Sequence, residues 1–300
     1  MAIIWCETME KITKRPIEFI RDSKFENGFA IHGATHEEGL TAQYAGTSQS
    51  TEPQAWNIAQ WANYKYPLTK DTSRINLDNG GYIYETPTCR LDVHTCDDYL
   101  LRLELRASEE YEGHVRKAGE AWPHLLIEQH DCVDFFPGLG ELNKLNYSIS
   151  LMIEYCKSHM TPEEFDPELH CSQVSHYLAL GDMEAYDWFW FGITFWDNRY
   201  EVCPGHISED VGKDDASHKM IVVEPLTNYT DVIPKYGQWI DIKVDLLPHI
   251  RKAVEMAQGR GYLKNVKMER LKVLSTNLGF ENPGNFDSAM QIRELSLIGE

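Results

Sequence analysis

The sequence predicts an all-β chain: an antiparallel β-sandwich with a few short helices. Three observations lead there. About ten segments rich in β-branched, aromatic or alternating residues follow one another along the chain. Clusters of Gly, Pro, Asn and Asp separate them. No regular strand–helix–strand rhythm appears, which argues against a parallel sheet.

The expected strands are 82–93, 99–108, 124–131, 146–156, 175–181, 187–197, 218–226, 238–247, 268–282 and 288–299. Two helices are expected. Residues 51–63 carry Thr51 as a cap, Pro53 in the first turn and apolar Ala55, Ile58, Ala59 and Ala62. Residues 245–261 place Ile250, Ala253, Val254 and Ala257 on one face, with Gly259 or Gly261 as the stop. No repeat, low-complexity tract or Pro/Ser-rich linker cuts the chain. One domain over 1–300 is expected, with 1–75 as a mixed N-terminal extension packed on the sandwich.

At 300 residues, with 42% hydrophobic and 11% aromatic content, the chain can bury a substantial core. Its formal net charge of −19 repels nucleic acid and anionic membranes, and no basic run interrupts that field. The seven cysteines are scattered and never form a C-x-x-C pair, so neither a disulfide framework nor a cysteine-based zinc site is indicated. The first residues lack the pattern of a secretory signal, and no window has the apolar length of a membrane span. A cytoplasmic protein with reduced thiols is expected. The sequons at 146 and 228 then occur by chance.

Side chains alternate across a strand, so each strand has two faces to assign. In "DWFWFGITFWD", Phe189, Phe191, Ile193 and Phe195 share one face and suit a dry core. Trp188, Trp190, Thr194 and Trp196 share the other, with Gly192 in the middle leaving room for something to approach. Indoles have flat faces that stack on sugar rings and N–H donors that need partners. Either this Trp face lines a ligand cleft, or both faces are buried. Trp122 and Trp239 would extend such a platform, and Asn198 and Arg199, at its polar end, are counted with the substrate-binding residues.

The strands at 99–108 and 124–131 admit two readings as well. Leu101, Leu103 and Leu105 point one way; Arg102, Glu104 and Arg106 point the other. A solvated outer face stitched by ion pairs is the simpler reading. In the sharper one the two segments form a ribbon in which Glu104 faces Glu128 and Arg102 faces His130. Opposed carboxyls about 5 Å apart would be split into an acid and a base or nucleophile. The catalytic candidates are therefore Glu104, Glu128 and His130, with Arg102 and Arg106 orienting substrate. Cys132, His32 and His94 rank lower. No metalloprotease, nucleophile-elbow, phosphate-loop or dinucleotide motif is present. The acidic stretch 208–218 lacks calcium-loop spacing and reads as a surface loop. The one metal expectation is a structural calcium near Asp287.

The serial strands, the late helix and the closing "NFDSAMQIRELSLIG" resemble the concanavalin A-like jelly roll of many glycoside hydrolases, polysaccharide lyases and lectins. More narrowly, "RLELR" at 102–106 resembles the Arg-x-Glu-Leu-Arg strand of jelly-roll alginate lyases. "EQH" at 128–130 and "GYLK" at 261–264 stand where that family has Gln-Ile-His and Tyr-Phe-Lys. The resemblance implies Arg102 or Arg106 neutralising a substrate carboxylate and His130 acting as base. Three functions follow as expectations: an enzyme cleaving a glycosidic bond in an oligosaccharide, a non-catalytic sugar-binding module, or a homo-oligomer joined through the Trp face. The −19 charge favours a neutral sugar, and so hydrolysis over elimination, which needs a substrate carboxylate.

Overall fold

A computed structural model describes residues 16–47, 50, 52–95, 98–130, 137–211 and 218–300. Its strands are β1 (Ile17–Glu18), β2 (Gly28–His32), β3 (Leu40–Ala45), β4 (Trp56–Ala59), β5 (Arg74–Asn76) and β6 (Tyr82–Glu85). Then come β7 (Cys89–Val93), β8 (Leu101–Arg106), β9 (His124–Gln129), β10 (Leu145–Ser158), β11 (Gln173–Asp182) and β12 (Asp187–Asp197). The chain ends with β13 (His206–Asp210), β14 (Lys219–Val223), β15 (Trp239–Asp245), helix α1 (Leu247–Gly259), β16 (Lys272–Glu281) and β17 (Phe286–Gly299).

These strands make two sheets packed as a jelly-roll sandwich. The first runs β15-β10-β17-β8-β7-β6-β5, with β1 also on β17; the second runs β13-β14-β12-β11-β16-β9-β4-β2-β3. Pairing is antiparallel throughout except for β12 with β14 and β2 with β4. The expected all-β class is what the chain adopts. All ten expected segments are strands, the one at 82–93 being split into β6 and β7 by the turn after Glu85.

Alternation decides which residues meet between the sheets. From the first sheet, Leu101, Leu103 and Leu105 are fully buried. From the second, Phe189, Phe191, Ile193 and Phe195 are at most 3% exposed, each contributing about 2 kcal/mol by leaving water. Helix α1 begins with Pro248 in its first turn and buries Leu247, Ile250, Ala253, Val254 and Ala257, as the sequence periodicity requires. Among the described residues no helix is long and apolar enough to cross a membrane.

The expected helix at 51–63 is wrong. Residues 56–59 are strand β4, inserted between β2 and β9. Trp56 and Ile58 are buried in the core, and the Trp56 indole N–H donates to the Asp22 carbonyl at 2.8 Å. The spacing of Ala55, Ile58, Ala59 and Ala62 fits a helix, but pairing on both edges supplies more than propensity does. With β2 and β3 beside it, this segment extends the second sheet itself. The cluster at 208–218 likewise begins as β13, while 212–217 and Cys132 lie outside the described residues.

One polar chain crosses the core. The Tyr147 hydroxyl on β10 hydrogen-bonds His176 Nδ1 at 2.7 Å, and His176 Nε2 hydrogen-bonds Thr276 Oγ1 at 2.5 Å. Burial pushes the His176 imidazole down to about 3, so it folds neutral. The unfolded chain therefore binds a proton that the native state refuses. Stability conferred by this site is complete above the ordinary value of 6.5 and is lost as pH falls from there towards 3. Urea unfolding at pH 7 and pH 5 is expected to show a drop in stability that His176→Gln reduces. An unchanged drop in that variant would refute a buried neutral imidazole.

Candidate functional site

The outer face of the second sheet carries a groove of about 480 Å³. Register explains who lines it. On β9 the residues facing away from the core are His124, Leu126 and Glu128, and Asn277 on β16 stands opposite Glu128. Glu281 stands opposite both His124 and Gln173 of β11. Tyr177 and Trp190 follow on β11 and β12, and His32, His36 and Trp61 close the other side.

Two polar clusters sit in this groove. In the first, Glu128 Oε2 lies 3.1 Å from His130 Nε2, and His32 converges on the same carboxylate. Glu128 is only 5% exposed, held in the middle of the sheet between β4 and β16. Burial pushes the His32 imidazole below its usual value; the Glu128 charge opposes this, and His130 and His36 reinforce it. In the second cluster His124 Nε2 lies 3.4 Å from Glu281 Oε2, and the His124 ring stacks near Trp122 at 5.9 Å.

Aromatic surface fills the space between. Trp61 stacks on His36 at 4.0 Å and lies tilted against His32 at 5.4 Å. The Trp190 indole N–H donates to Asp210 at 3.3 Å, and its ring meets Tyr177 edge-on. The room at Gly192 is taken by Tyr177, whose ring would lie 2.4 Å from an added Cβ. Gly192 thus admits a neighbouring side chain, and Tyr177 in turn faces the groove.

The sequence-predicted residues divide sharply. Glu128, His130 and Trp190 meet in the groove, as do Trp122 and His32. Trp188 sits behind, edge-on to Trp190 at 5.0 Å. Trp196 packs on Tyr236 at 5.0 Å and is not part of the groove lining. Trp239 belongs to the first sheet, under Arg293. Asn198 and Arg199 are structural: Asn198 Oδ1 accepts from the Ser172 N–H at 2.7 Å, and Arg199 clamps Asp197 at 2.6 Å. That clamp explains why the aromatic strand ends on polar side chains. Asp287 is engaged by His159 and Ser108, both at 2.7 Å. His94 bonds Tyr99.

The ribbon that opposed Glu104 to Glu128 does not form. Strand β8 pairs with β7 and β17, where Glu104 faces Arg90 and Ala289; β9 pairs with β4 and β16 in the other sheet. Both strands bury their alternate apolar residues between the sheets, so their polar faces point away from each other. Arg102 and Arg106 are equally remote from His130, which separates "RLELR" from "EQH". "GYLK" follows α1 as a loop and not a strand.

On its own face, Glu104 receives Arg102 at 2.7 Å, Arg106 at 2.8 Å and the Tyr155 hydroxyl at 2.7 Å. Burial pushes its carboxyl up, but these three donors prevail and hold it at about 2. Arg102 also binds Glu154, and Arg106 binds Glu85. The simpler reading, a face stitched by ion pairs, is the one realised, although Glu104 is only 8% exposed.

Trp61, His36, His124, Tyr177, Asp210 and Glu281 were missed. Trp61 was hidden by the expected helix. His124 shares the Glu128 face by simple alternation and was legible two steps before it, with Leu126 between.

No protein-family model and no curated protein matches the chain. Among solved structures it is similar to the family 12 xyloglucanase of Bacillus licheniformis, at a TM-score of 0.44 and 8% identity over 76% of this chain and 97% of that one. The family 11 xylanase of Neocallimastix patriciarum gives 0.41 and 8%, over 81% and 100%. Trichoderma harzianum endoglucanase 3 gives 0.40 and 8%, over 79% and 98%. These are likenesses of backbone course, and no residue's role comes from them.

Glu104→Gln removes the anion between two arginines and is expected to destabilise the fold by about 3 kcal/mol in urea unfolding. Ligand binding in the groove should be untouched. Loss of binding with an intact fold would return Glu104 to the site.

Proposed function

We propose that the protein is a carbohydrate-active enzyme that hydrolyses a glycosidic bond in a neutral oligosaccharide lying along the groove. One observation carries this reading: flat aromatic faces at Trp61, Trp122 and Trp190 share a groove with two separate carboxylate–imidazole clusters. Stacked rings hold a sugar without demanding charge, and the acidic clusters do the chemistry. Glu128, Glu281 and Asp210 in the groove, with a net charge of −19 on the chain, disfavour a polyanionic substrate.

The roles follow from spacing. Glu128 stands opposite Asn277, four residues from Glu281, so the two α-carbons lie roughly 13 Å apart along the strand. Each carboxyl is held by its own imidazole, Glu128 by His130 and Glu281 by His124, so the pair is far wider than the closer retaining spacing, and we read it as an inverting arrangement with room for a water. Glu128, with His130 and His32 around it, is the place where the attacking water is held. Glu281, backed by His124, supplies the proton to the departing oxygen.

Glu128→Gln is expected to lower turnover at least a hundredfold while oligosaccharide affinity stays within a few-fold. Trp190→Ala should instead weaken binding by a factor of about ten, the loss of one stacked ring. Turnover on a panel of neutral oligosaccharides, with affinity from tryptophan fluorescence, separates the two. Binding without turnover in the unaltered protein would favour the non-catalytic module.

A further inference from the structure

We infer that His32, Glu128 and His130 bind a divalent transition-metal ion at the wall of the groove. Each offers one ligand atom, and these atoms all lie within 4.8 Å of one another. A tetrahedral shell with bonds of about 2.1 Å places its donors roughly 3.4 Å apart, so closing it takes side-chain adjustments on the order of 1 Å.

The convergence is built by the sheet and is not an accident of one flexible loop. His32 ends β2 and Glu128 lies within β9, with β4 between them. The β4 residues on that face are Asn57, opposite Glu128, and Ala59. Both are short, so His32 and Glu128 can meet above the intervening strand. Trp61 lies against the His32 ring at 5.4 Å and fixes its approach. A single imidazole–carboxylate hydrogen bond is accounted for by His130 and Glu128 alone; a second imidazole whose nitrogen lies within 4.8 Å of both adds the third donor a ligand set requires.

Two imidazoles and one carboxylate suit zinc, cobalt or iron(II), whereas calcium and magnesium take shells dominated by oxygen. Three protein ligands leave a coordination position open. Here it opens on the groove, where a bound water would be made more acidic. What that water attacks rests on the oligosaccharide reading; the metal site itself does not.

The test titrates the full chain, stripped with a chelator and desalted, with Co²⁺ alone, following heat and visible absorption. One equivalent is expected to bind with the spectrum of nitrogen and oxygen ligation. His32→Ala and His130→Ala should each weaken it at least about tenfold, while His114→Ala, at an exposed histidine outside the groove, leaves it unchanged. Circular dichroism confirms that each variant is folded. Absence of a saturable equivalent would overturn the inference, as would an equivalent of the same affinity in both folded variants. Oligosaccharide binding, measured on the stripped protein beside the Co²⁺ titration, separates this from the functional reading: sugar that binds where Co²⁺ does not sinks the metal site alone, and Co²⁺ that binds where no sugar does supports it while sinking the other.

Discussion

A β-strand has two faces, and once one of them is committed to a dry core the other has no choice about where it points. In the second sheet that commitment is made by Phe189, Phe191, Ile193 and Phe195 on β12 and by Leu125 and Ile127 on β9, all at most 3% exposed. Shifting either strand by one residue would push indoles and carboxylates into the sandwich at a cost no hydrogen bond there repays. The positions of Trp190, His124 and Glu128 on the groove side are therefore a consequence of packing. So is the nearness of the two polar clusters, because β9 and β16 are neighbours whose register is fixed by the same burial.

The first sheet uses the same alternation for a different end. Its outer face gathers Arg90, Asp92, Arg102, Glu104, Arg106 and Glu154 into bonded pairs. Every carboxylate named there is engaged by an arginine. In the groove Glu128 and Glu281 have imidazoles for partners instead, groups that exchange protons or bind metals near neutral pH. The contrast between a satisfied ionic surface and a reactive one lies in the partner type, arginine against histidine.

Much of this was legible before any coordinates. The faces of 187–197 and of 124–129 follow from counting by two, and the late helix from counting by three and four. What failed was long-range. Which strand stands beside β8 depends on β17, some 180 positions away in the chain, and nothing local to "RLELR" encodes it. A motif on one strand cannot reveal which sheet will receive it. The segment at 56–59 failed for a related reason: Ala55, Ile58 and Ala59 satisfy a helical spacing, and only the two flanking strands make Trp56 and Ile58 core residues. Arg199 reads as a ligand-binding residue from the sequence because nothing in the polar tail distinguishes a free guanidinium from one closed on Asp197 two residues before it.

The most direct test of the groove follows the indole N–H signals of the eight tryptophans by nuclear magnetic resonance during titration with neutral oligosaccharides. Resonances of Trp61, Trp122 and Trp190 are expected to move together while those of Trp56, sealed in the core, and Trp239, on the opposite sheet, stay in place. Saturable shifts confined to Trp239, or no shift with any neutral sugar, would contradict a saccharide site on this face.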